Sequence, residues 1–319
     1  MTKLRCAILD DYQNAALKFA DWSRLSNKID ITVFDKPFAS SGEAIKVLKD
    51  FQILCAMRER TPFSREIVTA FPELKLLLTS GMRNAAFDMD ALRERGVVVC
   101  GTGAVGNATA GLTIGLMLEL TRHIGLENAR MHAGEPWQIT MGRDVEGMTL
   151  GVVGLGKLGI KVATIAKALG MNVIAWSTNL THEACTAAGV SYASKDELFS
   201  ASDVISIHLV LSKRSRGLIT REDLARMKPT AYLVNAARGP IVDEDALLEA
   251  LQKKKIAGAG LDTFSVEPLP IDHPLRKLDN VVLTPHLGYV TEENYRKYYT
   301  DMVEDIAAWL DGKPVRVMT

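Results

Sequence analysis

The chain has 319 residues, more than one domain usually contains, so two domains of roughly 100–200 residues each are the default expectation. Its 38 lysines and arginines balance its 38 aspartates and glutamates, which leaves no overall charge to attract nucleic acid or an anionic membrane. Charges or turns interrupt every apolar run before it reaches the roughly 20 residues of a membrane span. We therefore expect a small-molecule partner and neither a nucleic-acid nor a membrane partner.

The cysteine pattern indicates a compartment rather than a site. The four cysteines are dispersed and form no C-x-x-C pair, and no pattern typical of a secretory leader precedes them. We expect reduced thiols in a cytoplasmic protein. The segment HEAC lacks the two spaced ligand pairs of a zinc site, so no metal is expected.

Short apolar runs alternate with polar stretches of helix length along most of the chain. This alternation predicts an α/β fold of two units, each a parallel sheet covered by helices. A long helical pattern, lined with small residues, covers residues 107–132, and a final one at 291–310 is expected to return to the first unit and make it discontinuous. The apolar runs lie at 4–9, 31–34, 52–57, 74–79 and 97–100, and then at 149–154, 172–176, 203–209, 231–235, 257–262 and 281–284.

Two glycine-rich hexapeptides follow apolar runs, and only one has the context of a dinucleotide-binding turn. GTGAVG, residues 101–106, is followed by a long helical pattern and by no second strand where a βαβ unit needs one. We interpret it as a hinge between domains. GLGKLG, residues 154–159, is followed by a helical pattern and then a strand, which is the order found in dinucleotide-binding units.

The glycines of the second hexapeptide have separate tasks in such a turn. Gly154 permits the tight turn, Gly156 lets the backbone approach a diphosphate, and Gly159 lets the helix pack closely on the strand. The alternative is a packing turn without a ligand. The predicted cofactor-binding residues of this turn are Gly154, Leu155, Gly156, Lys157, Leu158 and Gly159.

The end of the next strand bears on the choice between NAD and NADP. An acid there would accept hydrogen bonds from the ribose 2′-hydroxyl and repel a 2′-phosphate. This chain has Ser177 and Thr178 at that point, and no arginine follows to hold a phosphate. We expect NAD(P) as the cofactor, with NADP slightly favoured because nothing at these positions repels it. The alternative is a solvated serine that leaves NAD bound through weaker contacts.

Three further polar side chains follow strands of the second unit. Arg238 ends the apolar strand of LVNAARGPIVD, where a guanidinium needs either solvent or an anion. Glu267 lies after a strand in SVEPLP, and His286 lies after another in LTPHLG. Taken singly, each is an ordinary loop residue. Because open parallel sheets bind ligands beyond the carboxyl ends of their strands, the three together predict a site.

Four segments resemble, in order, the signature blocks of the D-isomer-specific 2-hydroxyacid dehydrogenase family; they are GVVGLGKLG, LVNAARGPIVDEDALLEAL, GAGLDTFSVEPLP and NVVLTPHLG. The resemblance covers essentially the whole chain. It implies a nicotinamide-dependent oxidoreductase with two parallel-sheet domains. Residues 104–289 would form a Rossmann NAD(P)-binding domain, and residues 1–103, completed by 290–319, a discontinuous flavodoxin-like substrate domain.

The resemblance also implies roles for individual residues, since the family's catalytic arginine, glutamate and histidine fall on Arg238, Glu267 and His286. Arg238 would pair with the carboxylate of a 2-oxo acid and polarise its carbonyl. Protonated His286 would give its proton to the carbonyl oxygen, and Glu267 would orient the imidazole and favour its charged form. Asp262 matches a family aspartate near the nicotinamide, with a structural strand-end role as the alternative.

Two more residues are expected at the cofactor. Ala237 precedes the arginine directly, and His208 follows a strand, although a packed core histidine is the favoured alternative for it. Glu267 stands where formate-oxidising relatives have glutamine. This difference favours acid–base chemistry on a hydroxy or oxo acid.

One loop departs from the family pattern. TSGMRNAAFD, residues 79–88, replaces a glycine-rich segment whose backbone amides help hold the substrate carboxylate in the family, and it adds Arg83. We hypothesise that Arg83, with Arg58 or Arg60, binds a distal polar or anionic group of the substrate. The slightly favoured alternative is that these arginines are solvated.

Two functions remain in view. The leading one is a cytoplasmic reductase or dehydrogenase for a small 2-oxo or D-2-hydroxy acid, with glyoxylate and hydroxypyruvate as the first expected substrates. The other is a nucleotide-sensing binding protein with little turnover, as in corepressors that resemble the family. The short ends beyond the first strand and the last helix favour the enzyme. The family tends to dimerise through its nucleotide-binding domain, so a homodimer is expected.

Overall fold

The computed structural model describes residues 2–106 and 108–318. The chain divides into two compact units, one formed by Met1–Gly106 with Val290–Thr319 and the other by Asn107–Tyr289. It passes from the first unit to the second at the end of GTGAVG. No helix in the described residues is long and apolar enough to cross a membrane.

The first unit contains a parallel sheet of five strands in the order β2-β1-β3-β4-β5. This is the flavodoxin-like order, in which the chain changes direction between the first and third strands. The third and fourth strands are fully buried, which explains why their sequences are continuous apolar runs. The elements of residues 2–106 are β1 Leu4–Ile8, α1 Ala16–Phe19, β2 Ile29–Val33, α2 Ser41–Leu48, β3 Ile53–Ala56, α3 Arg65–Thr69, β4 Leu76–Thr79, α4 Met89–Glu94 and β5 Val98–Gly101.

The second unit contains a parallel sheet of seven strands in the order β12-β11-β10-β9-β6-β7-β8. Counted from its first strand, this is the Rossmann order with a seventh strand added, and the chain changes direction between β6 and β9. Its elements are α5 Ala108–Arg122, α6 Ile124–His132, β6 Thr149–Val153, α7 Lys157–Ala168, β7 Asn172–Trp176, α8 His182–Ala187, β8 Ser191–Tyr192, α9 Lys195–Ala201, β9 Val204–Ile207, α10 Arg221–Arg226, β10 Tyr232–Asn235, α11 Glu244–Gln252, β11 Gly258–Leu261 and β12 Val281–Leu283.

Successive residues of the central strands of this sheet face two different cores. Val152 and Val234 pack in the core that also contains buried residues of α5 and α7. Val153 and Leu233 pack on the opposite face with residues of α9, α10 and α11. Helices therefore cover both faces, and what remains for ligands is the edge where the strands end.

The two-unit α/β fold predicted from the sequence is confirmed, with two local differences. The helix expected over residues 107–132 is two helices, because His123 adopts a left-handed backbone conformation with φ of 53° between α5 and α6. Asn107 itself lies outside the described residues. The short strand β8 was not predicted, since Ser191–Tyr192 offers no apolar run.

The C-terminal helix α12, Glu292–Leu310, belongs to the first unit. Tyr295, Tyr298 and Tyr299 are buried on one face, as the i, i+3, i+4 spacing of a helix allows. The Tyr299 hydroxyl donates to Asp11 Oδ1 at 3.3 Å, and its ring packs 6.5 Å from that of Trp22. The helix therefore completes the core beside β1 and α1.

All four cysteines, Cys6, Cys55, Cys100 and Cys185, are buried and free. Burial raises the pKa of the Cys100 thiol to about 12, and it also raises the pKa of the Cys185 thiol. The hydrogen-bonding contact with Cys6 and burial together raise the pKa of the Cys55 thiol. Since the thiolate is the reactive form, these thiols are packing groups.

Candidate active site

The glycine turn after β6 has the geometry of a diphosphate cradle. Gly154 has a φ of 101°, in the region that glycine adopts most easily. A Cβ at Gly159 would collide with the carbonyl oxygen of Gly154, so this glycine lets α7 approach the turn. A Cβ at Gly156, in contrast, would meet no described atom within 4 Å. The internal packing of the chain therefore explains Gly154 and Gly159 but leaves the side of Gly156 open.

Gly156 is the N-cap residue of α7, so the first amides of the helix have no side-chain cap. Lys157 begins the helix with an exposed side chain, and no acid lies in the first turn. Leu155 and Leu158 are partly buried beside the turn. Free amides, a helix N-terminus and an open approach fit the diphosphate of a dinucleotide.

The first residues after β7 carry no charged side chain. Ser177 is partly buried, and its carbonyl accepts a hydrogen bond from the Leu180 amide at 3.0 Å. Thr178 is exposed in the same turn. The two hydroxyls can donate or accept hydrogen bonds, but neither repels nor pairs with a phosphate by charge.

His208 lies at the end of β9, beside the glycine turn. Its amide donates to Val153 O at 2.8 Å, and its Nε2 lies 2.9 Å from Ser206 Oγ. Its carbonyl oxygen would lie 2.9 Å from a Cβ at Gly154. Burial lowers the pKa of its imidazole to about 4, so the ring is neutral at physiological pH. The ring is a packed neutral group, and the backbone of His208 is what borders the turn.

Arg238 follows β10 in a segment that is held by the Asn235 side chain and packs against the loop after β11. The buried Asn235 side chain accepts from the Ala237 amide at 3.0 Å and donates to Arg238 O at 3.0 Å. Arg238 is partly buried and donates from Nη1 to Ala237 O at 2.7 Å. A Cβ at Gly239 would collide with the backbone of Phe264, so the segment lies directly against the loop after β11.

Asp262 follows β11 and is completely buried. Its Oδ1 accepts from the Leu287 amide at 2.7 Å and from Thr284 Oγ1 at 2.6 Å, and its Oδ2 accepts from the Gly288 amide at 2.9 Å. Burial raises the pKa of this carboxyl, although these hydrogen bonds oppose the rise. Both carboxylate oxygens hold the loop that carries the predicted catalytic histidine.

His286 lies in that loop with a φ of 54°, which is unusual for a residue other than glycine. Its amide donates to Asp262 O at 2.9 Å, and its ring packs edge-on against Tyr289 at 5.4 Å between ring centres. The surrounding contacts hold the strained backbone conformation and direct the imidazole.

Glu267 meets His286 directly, with 2.7 Å between Oε2 and Nδ1. Its Oε1 accepts from the Phe264 amide at 2.9 Å, which closes the loop on itself. Because an ionised carboxylate only accepts hydrogen bonds, Nδ1 carries the proton in this contact. Nε2 is then the ring nitrogen that can exchange a proton with a ligand, and the imidazole remains 19% exposed.

The remaining predicted residue, Arg83, lies in the first unit, in an exposed position after β4. Arg58 and Arg60 do not fit the solvated alternative, because both are partly buried. Arg58 Nη1 donates to Ser80 O at 3.2 Å. Arg60 Nη1 donates to Asp10 O at 2.7 Å, and its guanidinium covers the Tyr12 ring.

Several residues that hold the site were not predicted from the sequence. Asn235 is the last residue of an apolar strand, and this polar ending was a visible signal. Gly239 follows Arg238 directly, but the close approach that requires it depends on a loop more than twenty residues away. The described residues contain no group of three or more acidic, histidine or cysteine side chains able to hold a metal ion.

The depressed pKa of His208 predicts an acid-dependent loss of stability. Its imidazole titrates near 6.5 when unfolded and near 4 when folded, so its contribution is complete above pH 6.5 and is lost as the pH falls to 4. Between about pH 7 and pH 4.5, the unfolding free energy of the unsubstituted protein should fall by about 2 kcal/mol more than that of the His208→Gln variant. Urea unfolding of both proteins at a series of pH values measures this difference in unfolding free energy.

The control for this prediction is His182→Gln, since His182 is exposed. Its pH dependence should follow that of the unsubstituted protein. Parallel curves for the His208 variant and the unsubstituted protein would contradict the prediction.

Comparison with known proteins identifies the family. Residues 114–288 match the D-isomer specific 2-hydroxyacid dehydrogenase, NAD binding domain. The chain is 36% identical over 288 residues to hydroxypyruvate reductase of Thermotoga maritima, which covers 88% of this chain and 92% of that protein. It is 37% identical over 281 residues to D-3-phosphoglycerate dehydrogenase of Synechocystis sp., which covers 87% of this chain and 50% of the relative. The chain spans about half the length of the phosphoglycerate dehydrogenases it matches.

A solved structure gives the same result. The crystal structure of phosphoglycerate oxidoreductase from Vibrio cholerae O395 matches with a TM-score of 0.92 and 33% identity, covering 97% of this chain and 99% of that one. The family suggested by the four sequence motifs is therefore confirmed. The chain belongs to the family of D-isomer specific 2-hydroxyacid dehydrogenases.

Proposed function

We propose that the protein is an NAD(P)-dependent oxidoreductase that transfers a hydride between the nicotinamide and a small 2-oxo or D-2-hydroxy acid. The Glu267–His286 pair, with 2.7 Å between carboxylate and imidazole, carries this proposal. It lies at the carboxyl edge of the sheet whose first turn forms the glycine cradle. In this proposal residues 104–289 bind the dinucleotide, and residues 1–103 with 290–319 form the substrate domain.

The chemistry divides between cofactor and protein. The reduced nicotinamide, when bound, supplies the hydride for the carbonyl carbon. Arg238 pairs with the substrate carboxylate and withdraws electron density from the carbonyl. His286 donates its proton to the carbonyl oxygen, so that a ketone becomes an alcohol, and it takes the proton back in the reverse direction. Glu267 keeps the imidazole oriented through the contact between its Oε2 and Nδ1.

The proposed substrates are glyoxylate and hydroxypyruvate. The relative from Thermotoga maritima, which the chain matches over most of both lengths, is named hydroxypyruvate reductase. Arg83 is proposed to contact a distal polar group of the substrate, because it is exposed in the loop after β4 while Arg58 and Arg60 are engaged by neighbouring backbone.

The proposed cofactor is NAD(P), with NADP slightly favoured. The hydroxyls of Ser177 and Thr178 support this choice, since they present no charge that would repel a 2′-phosphate. Ala237 and Asp262 are proposed to lie near the nicotinamide, with Asp262 acting mainly through the loop that it holds. The four free thiols support a cytoplasmic location.

We also propose a homodimer formed through residues 124–141, called here the apolar arm. The arm runs from α6 into the following loop and exposes large apolar side chains that a single chain leaves uncovered. Trp137 is 71% exposed and Met141 is 92% exposed. The others are Ile124, Leu126, Met131 and Ile139.

The glycine cradle can be tested without turnover. Gly156→Ala should change the unfolding free energy by only about 0.5 kcal/mol, because the added methyl meets no described atom. It should weaken NADH and NADPH binding by about tenfold or more, because the methyl occupies the side from which a diphosphate approaches. Fluorescence titration measures both constants. Gly111→Ala, also in open space but on α5, is the control and should leave binding unchanged. Unchanged binding in the Gly156 variant would contradict the cradle.

The function is tested by following NADPH and NADH absorbance with glyoxylate, hydroxypyruvate, pyruvate, phenylpyruvate and branched 2-oxo acids. We expect turnover that His286→Ala lowers by about 10²–10⁴-fold, as expected for the loss of a general acid. Arg83→Ala should raise KM only for substrates with a distal polar group. Equal effects on all substrates would reject the Arg83 assignment. Nucleotide binding without turnover of any acid would favour the nucleotide-sensing protein over the enzyme.

The apolar arm is tested by light scattering. Trp137→Glu combined with Met141→Glu should convert the dimer into a monomer, because both charges would have to enter the interface without partners. Ile271→Glu is the control, since Ile271 is 87% exposed outside the arm. A monomeric unsubstituted protein, or a dimer that survives the double substitution, would contradict the proposal.

A further inference from the structure

The loop from Thr263 to Pro270 carries Glu267 and is only partly supported by packing. A small cavity lies beneath its start, lined by Thr263, Leu247 and Leu275 among others. The buried Thr263 Oγ1 has no hydrogen-bond partner in the described residues. The polar contacts that hold the loop therefore contribute to the position of Glu267.

Glu244 supplies one of these contacts. Its Oε2 accepts from the Ser265 amide at 3.2 Å, two residues before Glu267 in the chain. Its Oε1 lies 3.6 Å from Nε2 of His273, and both side chains are partly buried. Nδ1 of His273 in turn accepts from the Leu275 amide at 3.3 Å. The His273 amide donates to Pro270 O at 3.2 Å, so Glu244 contacts the start of the loop directly and its far end through His273.

Glu244 also belongs to the segment that carries Arg238. It is the first residue of α11, and a short 3₁₀ turn, Gly239–Ile241, separates it from the arginine. The backbone at Gly239 packs directly against Phe264. One carboxylate therefore joins the segment of the proposed substrate-binding arginine to the loop of the proposed histidine-orienting glutamate.

We propose that Glu244, with His273 as its partner, is a positioning residue that sets the place of Glu267 and thereby the orientation of His286. It touches no reacting atom and acts through the Ser265 amide and the His273 imidazole. The effect on catalysis rests on the function proposed above, whereas the effect on the loop does not.

The loop is examined first, by hydrogen–deuterium exchange of the full-length protein. Glu244→Ala should speed exchange of the amides at 264–267 and 275 by about tenfold, because opening no longer breaks the Glu244 contacts. Glu249→Ala is the matched control. Glu249 lies on the same helix and pairs with Lys253, Lys255 and Arg221 away from the loop. Exchange in the Glu244 variant equal to that of the control overturns the proposal, whether or not the protein turns over an acid.

Turnover then shows whether Glu244 acts through Glu267. Glu244→Ala should lower kcat by about tenfold and leave KM for the nucleotide unchanged, whereas Glu244→Gln, whose amide oxygen still accepts from Ser265, should lose less. In a Glu267→Gln background the same Glu244→Ala change should lower kcat by less than about twofold, because the group being positioned has changed. A full tenfold loss in that background overturns the proposal. Faster loop exchange without turnover of any acid by the unsubstituted protein would reject the proposed function and retain the positioning of the loop.

Discussion

The buried carboxylate of Asp262 joins the ends of two neighbouring strands, and the candidate site depends on it. Its two oxygens accept hydrogen bonds from the backbone and hydroxyl groups that surround His286. A non-glycine residue in the left-handed region costs on the order of 1–3 kcal/mol, so His286 keeps its conformation only because bonds on either side leave the loop no alternative. Burying the carboxyl raises its pKa, and the same bonds offset part of that cost.

Three loops of the site follow one construction. Each leaves the carboxyl end of β10, β11 or β12, and each is held by a polar side chain that accepts hydrogen bonds from its backbone. Asn235 holds the arginine segment, Glu244 and Glu267 hold the glutamate loop, and Asp262 holds the histidine loop. Parallel pairing brings these strand ends to one edge of the sheet, so short local contacts are enough to assemble groups that are distant in the chain. Contacts within the protein therefore place the proposed catalytic groups, which is what electrostatic stabilisation requires.

Much of this arrangement was visible in the sequence. Continuous apolar runs marked every strand except β8, whose two residues carry no such signal. The glycine spacing and the polar residues after strands pointed to the cradle and to Arg238, Glu267 and His286. The break at His123 was missed because histidine is not a helix-breaking residue, and a left-handed backbone at that point is set by its surroundings.

The supporting residues were missed for a related reason. Glu244 lies twenty-one positions from Ser265, and the two meet only because two loops pack closely at a glycine. No periodicity in the sequence predicts that contact. From the sequence, Asp262 was expected near the nicotinamide, with a structural role at the strand end as the alternative. Its main contacts lie with the histidine loop, as in that alternative. Local chemistry predicts which residues stand at strand ends, whereas the contacts between loops follow only from the fold.

The return of α12 to the first unit has a consequence for synthesis of the protein. β1 and α1 are synthesised before the second unit, yet Asp11 and Trp22, which lie beside them in the chain, meet their partner Tyr299 only after the second unit has been made. The second unit is continuous in sequence and contains its own cores, so it can fold while the N-terminal segment still waits for α12. Synthesis of the second unit thus separates the two parts of the first unit in time, and the first unit is completed only when α12 has been made.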